Sequence, residues 1–117
     1  MAMQFEIIEN HISDKLVLTP VARIDSSVAR DFEEHVSNRI AEGNTHFVVD
    51  FSRLSFISSA GMRVLLMTAK TLKAGGMGGT LVLCSMRDSI REIFAISGFD
   101  KIIMICSTCE EALAYKG

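Results

Sequence analysis

The sequence predicts a single α/β domain, a mixed sheet of four to five strands with about four helices packed on it. Two strand-like segments open the chain, and helix-patterned and strand-patterned segments then alternate. The interior strands read as near-continuous apolar runs, the pattern of strands covered on both faces. The 117 residues match the commonest size of one domain, and 49% hydrophobic against 22% charged residues suffices for a packed core. No repeat, low-complexity tail or linker interrupts the chain, so residues 1–117 are taken as one unit.

The elements follow in order. Phe5–Glu9 and Leu16–Val21 have strand character, with Asn10–Lys15 as a polar turn between them. Pro20 has no backbone donor and belongs at a strand end or edge. Asp25-Ser26-Ser27 offers helix caps, and Val28, Phe32, Val36 and Ile40 recur every four residues, one apolar stripe on a helix reaching about Ala41. Gly43-Asn44 stops it, and Phe47-Val48-Val49 is a buried strand. Ser58-Ser59 opens a second helix carrying Met62, Leu65, Leu66, Ala69 and Leu72, closed by Gly75. Leu81–Cys84 is the fourth strand. Ser85 with Asp88 has capping-box spacing before a helix with Ile90, Ile93 and Phe94 on its core face, ended by Gly98. Ile102–Ile105 makes a fifth strand, and Ser107 with Glu110 caps a short last helix containing Ala112 and Leu113.

Composition narrows the function. A net charge of −2 argues against binding a nucleic-acid backbone, which calls for a basic face. No apolar run approaches the roughly 20 residues of a membrane helix. Met1–Glu9 has no basic n-region and carries Glu6 and Glu9, unlike a secretory signal. The expectation is a cytoplasmic protein without membrane insertion. Its three cysteines, Cys84, Cys106 and Cys109, stay reduced there.

Asp50–Arg63 is the most unusual stretch. A buried strand ends at Asp50, a short loop follows with two exposable hydrophobics, Phe56 and Ile57, and a serine pair then meets a helix N-terminus. Free N–H groups and the positive dipole end favour negative charge at that point. A hydroxyl there accepts a phosphate without disrupting the helix behind it, and the added charge of about −1.5 to −2 alters any surface docked against it. Equally, Ser58 or Ser59 can be a plain N-cap.

Phe56-Ile57-Ser58-Ser59-Ala60-Gly61-Met62-Arg63-Val64-Leu65-Leu66, following a strand that ends in Asp50, resembles the signature loop and helix of the STAS-domain anti-sigma-factor antagonists. Ala22-Arg23-Ile24-Asp25 resembles that family's Gly-Arg-Leu-Asp segment. Gly75-Gly76 through Leu81–Cys84 resembles its glycine turn and strand. Ile96–Ile102 and Glu110–Ala114 resemble its last two helical segments. The match covers nearly the whole chain in the family's order.

The resemblance implies partner switching by a non-enzymatic module that needs no cofactor or metal. Unphosphorylated protein binds an anti-sigma factor that is itself a histidine-kinase-like serine kinase, and so frees a sigma factor. Phosphorylation by that kinase ends the contact, and a PP2C-type phosphatase restores it. The family's phosphorylated serine, two residues before the glycine, falls on Ser59, with Ser58 as runner-up. Ser58 stands where the family often has Asp, and Ala22 where it usually has Gly. The implied partner surface comprises Asp25, Ser58, Ser59, Gly61, Met62 and Arg63, with Met62 and Leu66 beside the docking partner. The chain alone is expected to be a monomer.

Two other classes stay open. One is a soluble STAS subunit of a membrane lipid-transport ABC complex, with no phosphorylation. The other is a small redox protein built on Cys106-Ser107-Thr108-Cys109, where a helix N-terminus would lower a thiol pKa. Against it, the motif precedes only Glu110–Gly117, whereas a thioredoxin-like domain needs more βαβ structure after it; zinc would need a second ligand pair. Gly75-Gly76-Met77-Gly78-Gly79 leads into a strand, unlike a phosphate-binding loop, and reads as a turn. His11, His35 and His46, and the scattered aspartates, form no catalytic spacing and are expected on the solvated surface. The seven methionines read as core filling.

Overall fold

The computed structural model describes residues 5–76 and 78–115. Met77, in the glycine turn, and the outermost parts of the predicted 1–117 domain lie outside them. Strands β1 (Ile7–Ile12), β2 (Lys15–Pro20), β4 (His46–Asp50), β6 (Thr80–Cys84) and β7 (Met104–Cys106) form one sheet in the order β1-β2-β4-β6-β7. β1 is antiparallel to β2 and the other neighbours are parallel, so the sheet is mixed. A second ribbon pairs β3 (Ala22–Ile24) with β5 (Leu54–Ile57) in parallel. The helices are α1 (Ala29–Ala41), α2 (Ser59–Ala74), α3 (Asp88–Ile96) and α4 (Cys109–Ala114), with a 3-10 turn at Phe99–Lys101.

The apolar runs of the central strands are divided between two cores. Leu16, Leu18, Phe47, Val49, Leu81 and Leu83 point to one face, where they pack with Phe32 and Val36 of α1, Leu65 and Leu72 of α2, and Ile90 and Phe94 of α3. Val17, Val48, Val82 and Cys84 point to the other, where Ala112 of α4 covers them. Period-two alternation puts a continuous apolar strand on both faces at once. Phe94 stacks edge-on against Phe51 and Phe99, with ring centroids 5.9 and 6.1 Å away.

Several boundaries differ from the sequence expectations. β1 runs on through Asn10-His11-Ile12, because an edge strand tolerates polar residues on its open side; the turn is only Ser13-Asp14, with Ser13 at φ +57°. β3 and β5 are strands where the sequence shows only loop character, each being too short to display a period. Ser85 does not cap α3. It sits at φ +61° directly after β6, and the chain needs Met86 and Arg87 to climb off the sheet end before the helix starts. Ile93 is 44% exposed rather than core, since Ile90 and Phe94 already fill the inner face of α3. β7 begins two residues late because Phe99–Lys101 is helical after Gly98 at φ +81°. The last cap is shifted by one: Thr108 Oγ1 accepts from Glu111 N at 3.1 Å and Glu111 Oε1 accepts from Thr108 N at 3.3 Å, the frame that turns Ala112 into the core. His35 is half-buried and bonded to Glu9, and His46 Nδ1 lies 3.0 Å from Thr80 Oγ1, so neither is a free surface group. Among the described residues, no helix is long and apolar enough to cross a membrane.

Candidate functional site

The ribbon β3–β5 places the site. Its register sets Arg23 opposite Phe56 and Ile24 opposite Ile57, and the Ser58 N–H donates to Ile24 O at 2.7 Å. The start of α2 is thereby fixed to the end of β3, and Asp25 comes next to the serine pair. Ser58 is the N-cap, with extended backbone and Oγ accepting from Gly61 N at 3.1 Å. Ser59 is the first helical residue and is exposed. The two serines, which the sequence ranks only through the family resemblance, therefore have different tasks, one tied into the helix end and the other facing solvent.

Gly61 is buried because the helix start lies directly on Ile24 and Ile57. A Cβ there would sit 2.7 Å from Ile24 Cγ2 and 2.8 Å from Ile57 Cγ1. Ile57, expected to be exposable, is in the core at 4% exposure, filled against that glycine. Met62 is likewise 4% exposed and packs inward, so it offers nothing to a docking partner. Leu66 is half-buried. Arg63 is exposed, one turn beyond Ser59.

Asp25 closes the turn into α1. Its Oδ1 accepts from Ser27 Oγ at 2.6 Å, Ser27 N at 3.0 Å and Val28 N at 3.2 Å. The Ser27 hydroxyl, with those two N–H groups, holds the carboxyl below the usual aspartate range. Asp25 is thus a charged group beside the site and a structural cap together.

Sequence pattern gives no sign of one further feature. The Arg23 guanidinium lies 4.3 Å above the Phe56 ring, and Phe56 is 37% exposed. An exposed aromatic stacked by a cation forms a flat amphipathic patch, three residues before Ser59 in the chain. Only the β3–β5 pairing brings these residues together, across the chain between positions 23 and 56.

The cysteines sit elsewhere: Cys84 ends β6, Cys106 ends β7 and Cys109 opens α4. Cys84 is fully buried, and burial together with the neighbouring Cys109 pushes its thiol up to about 12. Burial, and then Glu111, also raise Cys106. The Cys106 shift runs opposite to the activation that a redox motif built on Cys106 and Cys109 needs. Among the described residues, no cluster of side chains is arranged to hold a metal ion.

The STAS domain family profile matches residues 2–112. The chain belongs to the STAS domain family. A Bordetella bronchiseptica STAS relative, BtrV, named as an anti-sigma factor antagonist, is 38% identical over 91 residues, 78% of this chain and 77% of its own length. Among solved structures, a Thermotoga maritima protein described as an anti-sigma factor antagonist superposes with a TM-score of 0.86 at 20% identity, covering 92% of this chain and 91% of that one. The phosphorylated form of the Bacillus cell fate determinant SpoIIAA superposes with a TM-score of 0.70 at 24% identity, covering 92% and 96%. At those identities the two structures establish the shared fold.

Proposed function

We propose that this STAS domain is an anti-sigma factor antagonist whose docking is switched off by phosphorylation of Ser59. The observation that carries the proposal is the division of labour at the α2 start. Ser58 holds the cap, Gly61 seats the helix on Ile24 and Ile57, and Ser59 presents its side chain outward from that fixed base. The name of the 38% identical relative supports the antagonist role.

The partner is an anti-sigma factor that is also a histidine-kinase-like serine kinase, docking over Phe56, Arg23, Asp25 and Arg63. The kinase transfers the γ-phosphoryl group of ATP to Ser59 Oγ. The O–H bond and the Pγ–O bond to ADP break, an Oγ–P bond forms, and the hydroxyl proton is released. The new dianionic group then lies in the docking face, where its desolvation opposes rebinding. The outward N–H groups of the first turn and the positive helix end stabilise the phosphate in the free protein. Both effects favour release. A PP2C-type phosphatase hydrolyses the ester and restores the hydroxyl. Modification at Ser58 would remove the helix cap, so Ser59 is the preferred position.

The test is mass spectrometry after incubation with ATP, magnesium and candidate histidine-kinase-like serine kinases from the same genome. Phosphate at Ser59 that is absent in Ser59→Ala supports the switch. Lack of phosphate with every kinase, alongside co-purification with an ABC-type ATPase, would move the protein to the transport-subunit class.

A further inference from the structure

We propose that the groove across the strand starts binds a single-chain acyl carboxylate, its anionic head on Lys70 and Lys73 and its chain on Leu81, Ile102 and Met104. The groove has a volume of about 730 Å³, within the roughly 300–1,000 Å³ of small-molecule sites. It runs from the last turns of α2 past Gly78–Leu81, where β6 begins, to Ile102 and to Met104, the first residue of β7. Tyr115, just after α4 in the chain, also lines it.

Long-range contacts hold these walls in place. Lys15 Nζ donates to Tyr115 O at 3.0 Å and so ties the end of α4 to the start of β2. Thr80 N donates to Thr45 O at 2.9 Å, and the Thr80 hydroxyl lies 3.0 Å from His46 Nδ1, which ties the start of β6 to β4. Gly79 is wedged against the end of α2. A Cβ there would come 2.9 Å from Leu72 O and 3.0 Å from Thr45 O. The groove is thus formed before a ligand arrives, and binding needs little ordering of the protein.

The chemistry of the lining selects the ligand. Lys70 and Lys73 are its only charged side chains, and it contains no Asp or Glu. Three residues apart on α2, the lysines share one helix face. Both are exposed, and neither forms an ion pair among the described residues. Two like charges side by side repel, and an anion held between them relieves that repulsion. Ile102 and Met104 are 57% and 42% exposed, apolar surface left in water within the same groove. A pair of cations with an apolar floor matches an anionic head with an apolar tail. A nucleotide matches less well, because the lining has no arginine to clamp a phosphate and the Thr80 hydroxyl is already engaged by His46. Lys73 lies 14 residues along α2 from Ser59, about 20 Å at 1.5 Å per residue. The site is therefore separate from the phosphorylation switch and stands independently of it.

The probe is sodium decanoate, kept below the concentration at which it forms micelles and titrated into the ¹⁵N-labelled full chain. Acetate, hexanoate, octanoate, decyltrimethylammonium and ATP are run alongside. The expected result is saturable amide shifts for decanoate at Lys70–Lys73, Gly78–Leu81 and Ile102–Met104. Affinity should rise about twofold per added methylene, half the free energy of full burial because the groove is open along one side. Lys70→Gln with Lys73→Gln weakens binding about threefold to tenfold. Ile102→Asp, which leaves both lysines in place, weakens it comparably, and circular dichroism checks that each variant is folded. Absence of saturable shifts, equal binding of decyltrimethylammonium, an affinity independent of chain length, or tighter binding of ATP at the same amides would overturn the proposal. So would shifts with phosphatidylglycerol vesicles alone, since the lysines would then face a membrane surface rather than hold a free chain.

Discussion

Gly61 and Ile24 touch so closely that there is no room for a single methyl group between them. A Cβ added to Gly61 would approach Ile24 Cγ2 to 2.7 Å and Ile57 Cγ1 to 2.8 Å, well inside van der Waals contact. Neither isoleucine has space to retreat, being 0% and 4% exposed. Gly61→Ala is expected to destabilise the domain by about 1–3 kcal/mol, the range of an overpacked core, read as a lower urea midpoint. On the proposed function, the same change should tilt the α2 start and slow phosphorylation of Ser59. An unchanged midpoint would mean the contact relaxes freely.

Ala22 adopts φ +74°, a conformation suited to glycine. The left-handed backbone costs a side-chain-bearing residue about 1–2 kcal/mol, partly offset by the lower unfolded-state entropy of alanine. Ala22→Gly should therefore stabilise the protein by about 0.5–1 kcal/mol, visible as a higher urea midpoint at constant slope.

The two adjacent serines should separate in paired measurements. Ser58→Ala loses the bond from Gly61 N and lowers stability by about 1 kcal/mol, while Ser59→Ala leaves the thermal midpoint nearly unchanged. For partner binding the order reverses. Ser59→Ala keeps affinity and Ser59→Asp loses it, as isothermal titration would report; equal affinities for both would sink the switch.

On the proposed function, Phe56 is expected to contribute little to folding and much to docking. Phe56 is 37% exposed and, among the described residues, its ring is stacked by Arg23, so Phe56→Ala should cost no more than about 1 kcal/mol of stability. The same variant should weaken the anti-sigma factor complex about tenfold, the signature of an aromatic anchor. Parallel losses in both measurements would place Phe56 in the core instead.

Glu9 predicts an acid-sensitive attachment of β1 to α1. Burial raises its pKa, but the hydrogen bond from Arg39 at 2.8 Å and the contact with His35 outweigh this, leaving it below the usual glutamate range. A depressed carboxyl contributes stability above its unfolded pKa, about 4.3, and loses it as pH falls through the lower folded value. Glu9→Gln should thus reduce stability at neutral pH by up to about 1 kcal/mol, given partial exposure. The difference from wild type should shrink as pH falls below about 4.3 and vanish only below the lower folded value.

The elements with long apolar signals are legible in the sequence. The α1 stripe Val28, Phe32, Val36, Ile40 and the runs at Phe47–Val49 and Leu81–Cys84 are dictated by burial, which a single segment displays in its own pattern. Caps are legible only to within a residue or more. Ser107–Glu110 and Thr108–Glu111 both have the right chemistry, and packing of Ala112 chose between them.

The site divides along the same line. The sequence alone determined that a hydroxyl pair stands at a helix start, followed by a glycine and an arginine, because those are local facts of order and spacing. Which serine faces out, that Met62 and Ile57 face in, and that Arg23 covers Phe56 were decided only by the pairing of β3 with β5. Two strands of three and four residues are too short to reveal a period, and their contact joins distant stretches of chain. Non-local pairing of that kind is set by how the whole sheet and its helices pack, and it exists only once they have folded.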